Sequence, residues 1–359
     1  MIPEIVRVRL RDHKLSRSEF RSPEAVVSWL GAVQAQDYPG AKWALGLRAR
    51  GVTDAGVERA VSDGAILRTH VLRPTWHFLA PDDIRWILSL SGPRVHAMNA
   101  PYYRKMELDA RTFVRARTII ERALEGGKHL TRTELASVLQ QRGIEAAGMR
   151  LAYLVMYAEL EAVICSGPRR GSQITYGLLE ERVKPARPLD GDEAVAALAR
   201  RYFSSHGPAT LRDYVWWSGL RTADAKAGIE MNRPTLVPSV IEGRTFWSVE
   251  SAVPRAPKRP VAYLLPNYDE FGIAYRDRDV IPGVGRARAI SPTEEFAHLL
   301  VIDGELVGRW RRTQKTSAMI VDAQPFRRLT RGEREALEDA AARYAAFLEA
   351  PVTLNIPRG

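Results

Sequence analysis

Two glutamines two residues apart, Gln34 and Gln36 in the segment Val33-Gln34-Ala35-Gln36-Asp37, combine a side-chain type and a spacing that bear on chemistry without a titratable proton. An amide cannot act as a general base the way a carboxylate does, but its donors and acceptor can orient a water molecule or hold the edge of a nucleobase. Read without other information, the same pair is the polar end of a helix. Asp37 follows directly and offers a carboxylate base. If the helix continues, one residue step turns Asp37 by about 100° from Gln36, which argues against joint action. Far downstream, Tyr268, Asp269 and Glu270 follow an apolar run, where carboxylates serve either chemistry or a helix cap; Tyr268 and Asp269 enter as possible supports of the site.

Other machinery is absent. The chain has no phosphate loop of the G-x-x-x-x-G-K-[ST] type, no H-E-x-x-H helix and no G-x-S-x-G elbow. The seven histidines, at 13, 70, 77, 96, 129, 206 and 298, have no metal-ligand spacing, so neither metal nor cofactor is expected. None of the eight lysines lies in the glutamine motif, with Lys42 only nearby, which leaves an imine route without support. Arginines cluster instead at hairpin positions: Arg68 and Arg73, then Arg169 and Arg170, then Arg309, Arg311 and Arg312 with Lys315. Hairpin ends are places where DNA-binding proteins meet phosphates or a minor groove, and these eight residues are read as DNA contacts. Trp76 and His77, in the strand-like run RPTWHFLA, either stack on a base or pack beneath the hairpin; Trp216 and Trp217 read as core.

The elements that must position these residues repeat three times as helix, turn, helix and hairpin. Ser22-Pro23 starts a helix with the stripe Val26, Val27, Leu30 and Val33, expected to end near Gln34–Asp37 before a chain-breaking Tyr38-Pro39-Gly40 turn. A helix after Thr53 and two strands, 66–72 and 75–79, complete the first unit, and Pro81-Asp82-Asp83 opens another helix. Capping boxes at Thr131/Glu134, Asp190/Glu193, Thr210/Asp213 and Thr330/Glu333 mark later helix starts. The runs 163–179 and 235–250 read as hairpins, 261–275 as mostly strand, and Asp303-Gly304 as a two-residue hairpin turn. The expected organisation is α+β: units at 1–125, 126–188 and 189–250, a linker at 251–260, and a β-rich region with a final helix at 260–359.

Composition fits this picture. With 359 residues, two or three units of about 100 to 200 residues are expected. Cations outnumber anions 53 to 42, a formal +11, and 45 of the 53 are arginine, whose planar fork suits phosphates and guanine edges. A GC-rich genome would also enrich arginine and alanine, so position has to carry the argument. One cysteine, Cys165, excludes an internal disulfide and a cysteine-ligated cluster. No apolar run approaches the roughly 18 residues of a membrane span, and a soluble, cytoplasmic protein is expected.

VQAQD at 33–37, ILRTHVLRPTWHFLAPDD at 66–83 and LLPNYDEFGIAYRDR at 264–278, in that order, resemble the helix-turn-helix 42 superfamily of bacterial DNA glycosylases, the AlkZ and YcaQ (AlkX) group. The resemblance implies three tandem winged helices in a C-shaped scaffold with a basic concave face for duplex DNA. It places the catalytic glutamine–apolar–glutamine motif on Gln34 and Gln36, on the AlkZ side, since the YcaQ branch carries aspartate at the second position. It also implies removal of bulky N7-alkylguanine adducts or crosslinks formed by genotoxic natural products. The expected partner is double-stranded DNA containing an alkylated purine, bound by a monomer at the nucleoid. A non-catalytic winged-helix regulator is the rival reading; such a protein would usually dimerise on a palindrome, and no coiled-coil heptad supports that.

Overall fold

A computed structural model describes residues 4–249, 252–290, 298–316 and 318–357 as mixed helix and sheet. A helix at Glu4–Asp12 precedes three passes through one element order: helix, short strand, two helices, hairpin. In the first, Pro23–Leu30, Val33–Gln34, Tyr38–Gly46 and Asp54–Ser62 lead to the hairpin Leu67–Val71/Thr75–Leu79, and the short strand pairs with the second hairpin strand, which is central in the sheet. The second repeats it with Ala110–Leu124, Leu130–Thr131, Arg132–Gln141, Gly148–Leu160 and the hairpin Ile164–Arg170/Gln173–Leu178. In the third, Gly191–His206, Leu211–Ser218 and Thr222–Met231 precede Leu236–Ile241/Arg244–Val249, and a single bridge from Ala209 to Trp247 replaces the short strand. The 25-residue helix Pro81–Lys105 joins the first pass to the second. Residues 252–260 of the expected linker carry neither helix nor strand, and residue 251 lies outside the described residues.

The C-terminal part is a five-stranded sheet of Ala262–Leu265, Leu299–Ile302, Glu305–Gln314, Met319–Pro325 and Val352–Asn355, each beside the next in that order, with only the last pair parallel. Its strands and the final helix Arg331–Leu348 share one core with the first pass, where Trp43, Trp310, Tyr344 and Phe347 meet Val27, Leu30 and Phe78. Three of the four capping boxes form, at Thr131, Thr210 and Thr330. Asp190 stands at the N-cap without a side-chain bond, because Glu193 pairs with Arg187 at 2.8 Å instead.

Three local expectations are corrected. The helix after Ser22 ends at Leu30, where Gly31 takes φ +81° and lets the chain turn away; Val33 and Gln34 are strand. Val33 and Ala35 enter the shared core, Gln34 between them does not, and Gln36 is exposed in the bend that follows the strand. Tyr38-Pro39-Gly40 starts the next helix rather than breaking the chain, with Asp37 as its N-cap accepting from the Gly40 amide at 3.2 Å. Asp37 is therefore not a helical neighbour of Gln36. Likewise 261–275 is strand only from Ala262 to Leu265; Tyr268 adopts φ +60° and Asp269 caps the short helix Glu270–Ile273.

Candidate active site on the Gln34–Gln36 strand

The strand that carries Gln34 is anchored from both sides. Its Cα partner in the sheet is His77, and the Ala35 amide donates to the Trp76 carbonyl at 2.7 Å. On the other side the Gln34 main-chain amide donates to Glu270 Oε1 at 2.9 Å, across 236 residues of sequence. Gln34 is 8% exposed, and its Oε1 accepts a long hydrogen bond from Arg73 Nη2 at 3.4 Å. Gln36 is exposed. The end of this strand and the bend after it thus present two amides, one held from behind and one open to solvent.

Cations from three hairpins meet along this segment. Arg73, between the first two hairpin strands, reaches Gln34. Arg169, from the second hairpin, lies 5.4 Å over the Tyr38 ring and 3.2 Å from Glu58. Arg312, from the long C-terminal hairpin, grips both oxygens of Asp37 at 2.9 and 3.0 Å. Asp37 thereby has two fixed partners, the helix N-terminus and a guanidinium, which makes it a tie between the glutamine segment and that hairpin.

The remaining cations divide by burial. Arg170, Arg311 and Lys315 are exposed, Arg170 pairing with Glu134 at 2.6 Å. Arg68 is buried, donating from Nε to the Ala35 carbonyl at 3.1 Å and lying 4.4 Å over Trp76. Arg309 is buried, 5.8 Å over Phe326. These two stand under the surface and not at a hairpin end. Trp76 also contacts the His70 ring at 4.2 Å, so packing claims it. Trp217 is core, 1% exposed, but Trp216 is half-buried, with Arg73 at 5.5 Å and Arg276 at 5.2 Å from its ring. Tyr268 is half-buried. Asp269 is wholly structural in its contacts, receiving both Arg48 terminal nitrogens at 2.7 Å.

Sequence reasoning did not select Glu270, Trp216 or Arg276. Glu270 stood beside two residues that were chosen, but nothing local says that it, and not Asp269, faces the glutamines. Lys42 is pinned between Asp54 and Glu58 at 2.8 and 2.9 Å, which leaves no free amine beside the motif.

His77 completes the back wall. It is 1% exposed and donates from Nδ1 to the Thr75 carbonyl at 2.9 Å. Burial, reinforced by the positive charge of Arg73, lowers its pKa to about 4. The unfolded chain therefore takes up this proton near pH 6.5 and the folded chain only near 4, so stability falls as pH drops across that window. Between pH 6.5 and 4.5 the linkage amounts to about 2 kcal/mol. In urea titrations at those two pH values, His77→Gln is expected to lose that much less stability than the parent; equal losses would show that His77 is not buried as a neutral ring.

Among the described residues there is no group of three His, Cys, Asp or Glu placed to hold a metal, and no helix long and apolar enough to cross a membrane. An interstrand DNA cross-link repair glycosylase from Streptomyces sahachiroi is 26% identical over 352 residues, 90% of each chain. The solved structure of Streptomyces sahachiroi DNA glycosylase AlkZ covers 98% of both chains with a TM-score of 0.79 at 22% identity, a likeness of fold. The profile of the family described as DNA glycosylase AlkZ-like matches residues 27–347, and with nearly the whole chain inside that match the protein belongs to the AlkZ-like DNA glycosylases, enzymes of DNA repair.

Proposed function

We propose that the enzyme is a monofunctional glycosylase that hydrolyses the N-glycosidic bond of N7-alkylated purines, bulky N7-alkylguanine adducts or crosslinks included, in duplex DNA. The observation that carries this is the meeting of cations from three hairpins along residues 34–38, at Gln34, Asp37 and Tyr38, beside two uncharged amides. Alkylation at N7 puts a positive charge on the purine, so the base already leaves readily and needs little protonation. What remains for the protein is to place a water beneath C1′ and to stabilise a sugar that becomes oxocarbenium-like, tasks of positioning and electrostatics. In this reading Gln34 and Gln36 hold that water. The C1′–N9 bond breaks with its electron pair going to the purine, the water oxygen bonds to C1′, and the released proton passes to solvent.

We read the three repeated helix–strand–helix–helix–hairpin passes as winged helices arranged in a C, which form a monomer's cradle for the duplex. Arg169, Arg170, Arg311 and Lys315 face phosphates. Arg68, Arg73 and Arg309, with Trp76 and His77, support the wall behind the glutamines. Arg312 and Asp37 tie the C-terminal hairpin to the motif, and Asp269 and Tyr268 shape the loop at Glu270. A bulky adduct fills a tight pocket poorly, so excision here does not need full extrusion of the base.

The test is a pair of duplexes that differ only in N7-methylation of one guanine. Free modified base and an alkali-labile abasic site are expected from the methylated strand and none from the unmodified one. A duplex that is bound but releases no base, or release of unmodified guanine at a similar rate, would contradict the reading. Borohydride should trap no covalent complex, since no lysine amine is free at the motif.

A further inference from the structure

Two adjacent buried carboxylates behind the glutamine strand are treated differently by the fold. Asp269 is neutralised by the bidentate Arg48 fork. Glu270, 1% exposed, is met instead by N–H groups: Oε1 accepts the Gln34 amide at 2.9 Å, and Oε2 accepts the Trp217 indole N–H at 3.0 Å. His206 Nε2 stands 3.5 Å from the same Oε2, its ring stacked on Tyr202 with centroids 4.9 Å apart. Burial works to raise the Glu270 pKa, but the His206 side chain beside it and the Gln34 amide outweigh it and hold the carboxyl below its usual range. A buried anion without a guanidinium partner is costly to keep, and its field reaches further through protein than through water.

We propose that Glu270 is a positioning residue for excision, a fixed negative charge behind the Gln34 peptide that orients the strand's amides and favours positive charge on the sugar in front of it. The inference rests on Gln34 being the residue that faces the reacting centre. Positive charge moves from the purine to the sugar as the glycosidic bond breaks. An anion on the sugar side of that movement stabilises the transition state more than the bound lesion. Gln34 is the link, because its main chain touches Glu270 while its side chain meets Arg73 of the first hairpin. A hydrogen bond to an ionised acceptor also polarises the peptide that donates it.

Glu270→Gln separates charge from contact. Its amide oxygen can still accept from Gln34, while the indole N–H of Trp217 loses its acceptor. On an N7-methylguanine duplex, single-turnover excision is expected to fall by about 10- to 100-fold, by analogy with loss of one preorganised electrostatic group. Kd for the duplex and hydrogen-exchange protection of the Gln34 amide should stay at parental values. A parental rate in Glu270→Gln overturns the proposal, and so does a slow rate accompanied by loss of Gln34 protection, which would make the role purely structural. Glu270→Asp keeps the charge on a shorter arm and decides the matter if the glutamine variant does not fold. It should excise within about tenfold of the parent, and a loss as deep as that of Gln34→Ala would overturn the charge assignment. Gln34→Ala, run in parallel, keeps the two readings apart: full activity there removes the catalytic glutamine itself, whatever Glu270 does.

Discussion

Gln34→Ala combined with Gln36→Ala should lower single-turnover excision of N7-methylguanine by roughly 10²- to 10³-fold, the loss found when one preorganised polar group is removed from a reacting centre. The two glutamines act on one water in this reading, so their losses should not multiply. Binding should hardly change, since the proposed phosphate contacts lie on the hairpins. The single variants are expected to differ in stability. Gln36 is exposed, so its truncation leaves the fold as stable as before. Gln34 is 8% exposed and accepts from Arg73, so its loss leaves a half-buried guanidinium short of an acceptor and costs about 1 kcal/mol. Rates measured with enzyme in excess over duplex, alongside Kd by titration and stability in urea, separate these effects. A double variant that excises at the parental rate would remove both glutamines from the chemistry.

What could be read from the chain alone was whatever a few neighbouring residues decide. Thr131, Thr210 and Thr330 start helices because each finds a carboxylate three residues on, and Asp303-Gly304 turns a hairpin with both residues at positive φ. The glutamine strand was hidden because the stripe Val26, Val27, Leu30, Val33 continues helical spacing past the true end, and Gly31 was its one local stop. Asp190 failed as a capping box because a better partner for Glu193, Arg187, stood nearby. The surface reading of Arg68 failed for a different reason. All five residues of Leu67–Val71 are buried although this strand is an edge of its sheet, because the second hairpin closes over it, with Ser166 Oγ accepting from the Arg68 amide at 2.9 Å. A position in a hairpin says nothing of such cover. The site was legible only as its motif: Gln34 and Gln36 could be named, while Glu270 reaches Gln34, and Arg312 reaches Asp37, across more than two hundred residues.

That long reach makes the loop at Asp269 the place where stability and catalysis are joined. Asp269 is 2% exposed and Arg48 fully buried, and two 2.7 Å bonds connect them. Asp269 Oδ1 also accepts from the Phe271 amide at 2.9 Å, which starts the helix that carries Glu270. Asp269→Ala leaves a buried guanidinium unpaired and an uncapped helix, and is expected to cost about 3–5 kcal/mol in urea denaturation. A domain of ordinary stability has only about 5–15 kcal/mol, so part of the chain would unfold under assay conditions. Removing both partners in Arg48→Met with Asp269→Leu should recover part of that loss and not all of it. The Arg48 guanidinium also donates to the His13 and Ala44 carbonyls, each at 2.9 Å, and those acceptors would be left without it. A loss below about 1 kcal/mol in Asp269→Ala would show the pair to be solvated, as surface pairs are. Glu270 would then have no rigid mount, and the excision rate of the folded fraction would fall together with the order of that loop, whatever charge the carboxylate carries.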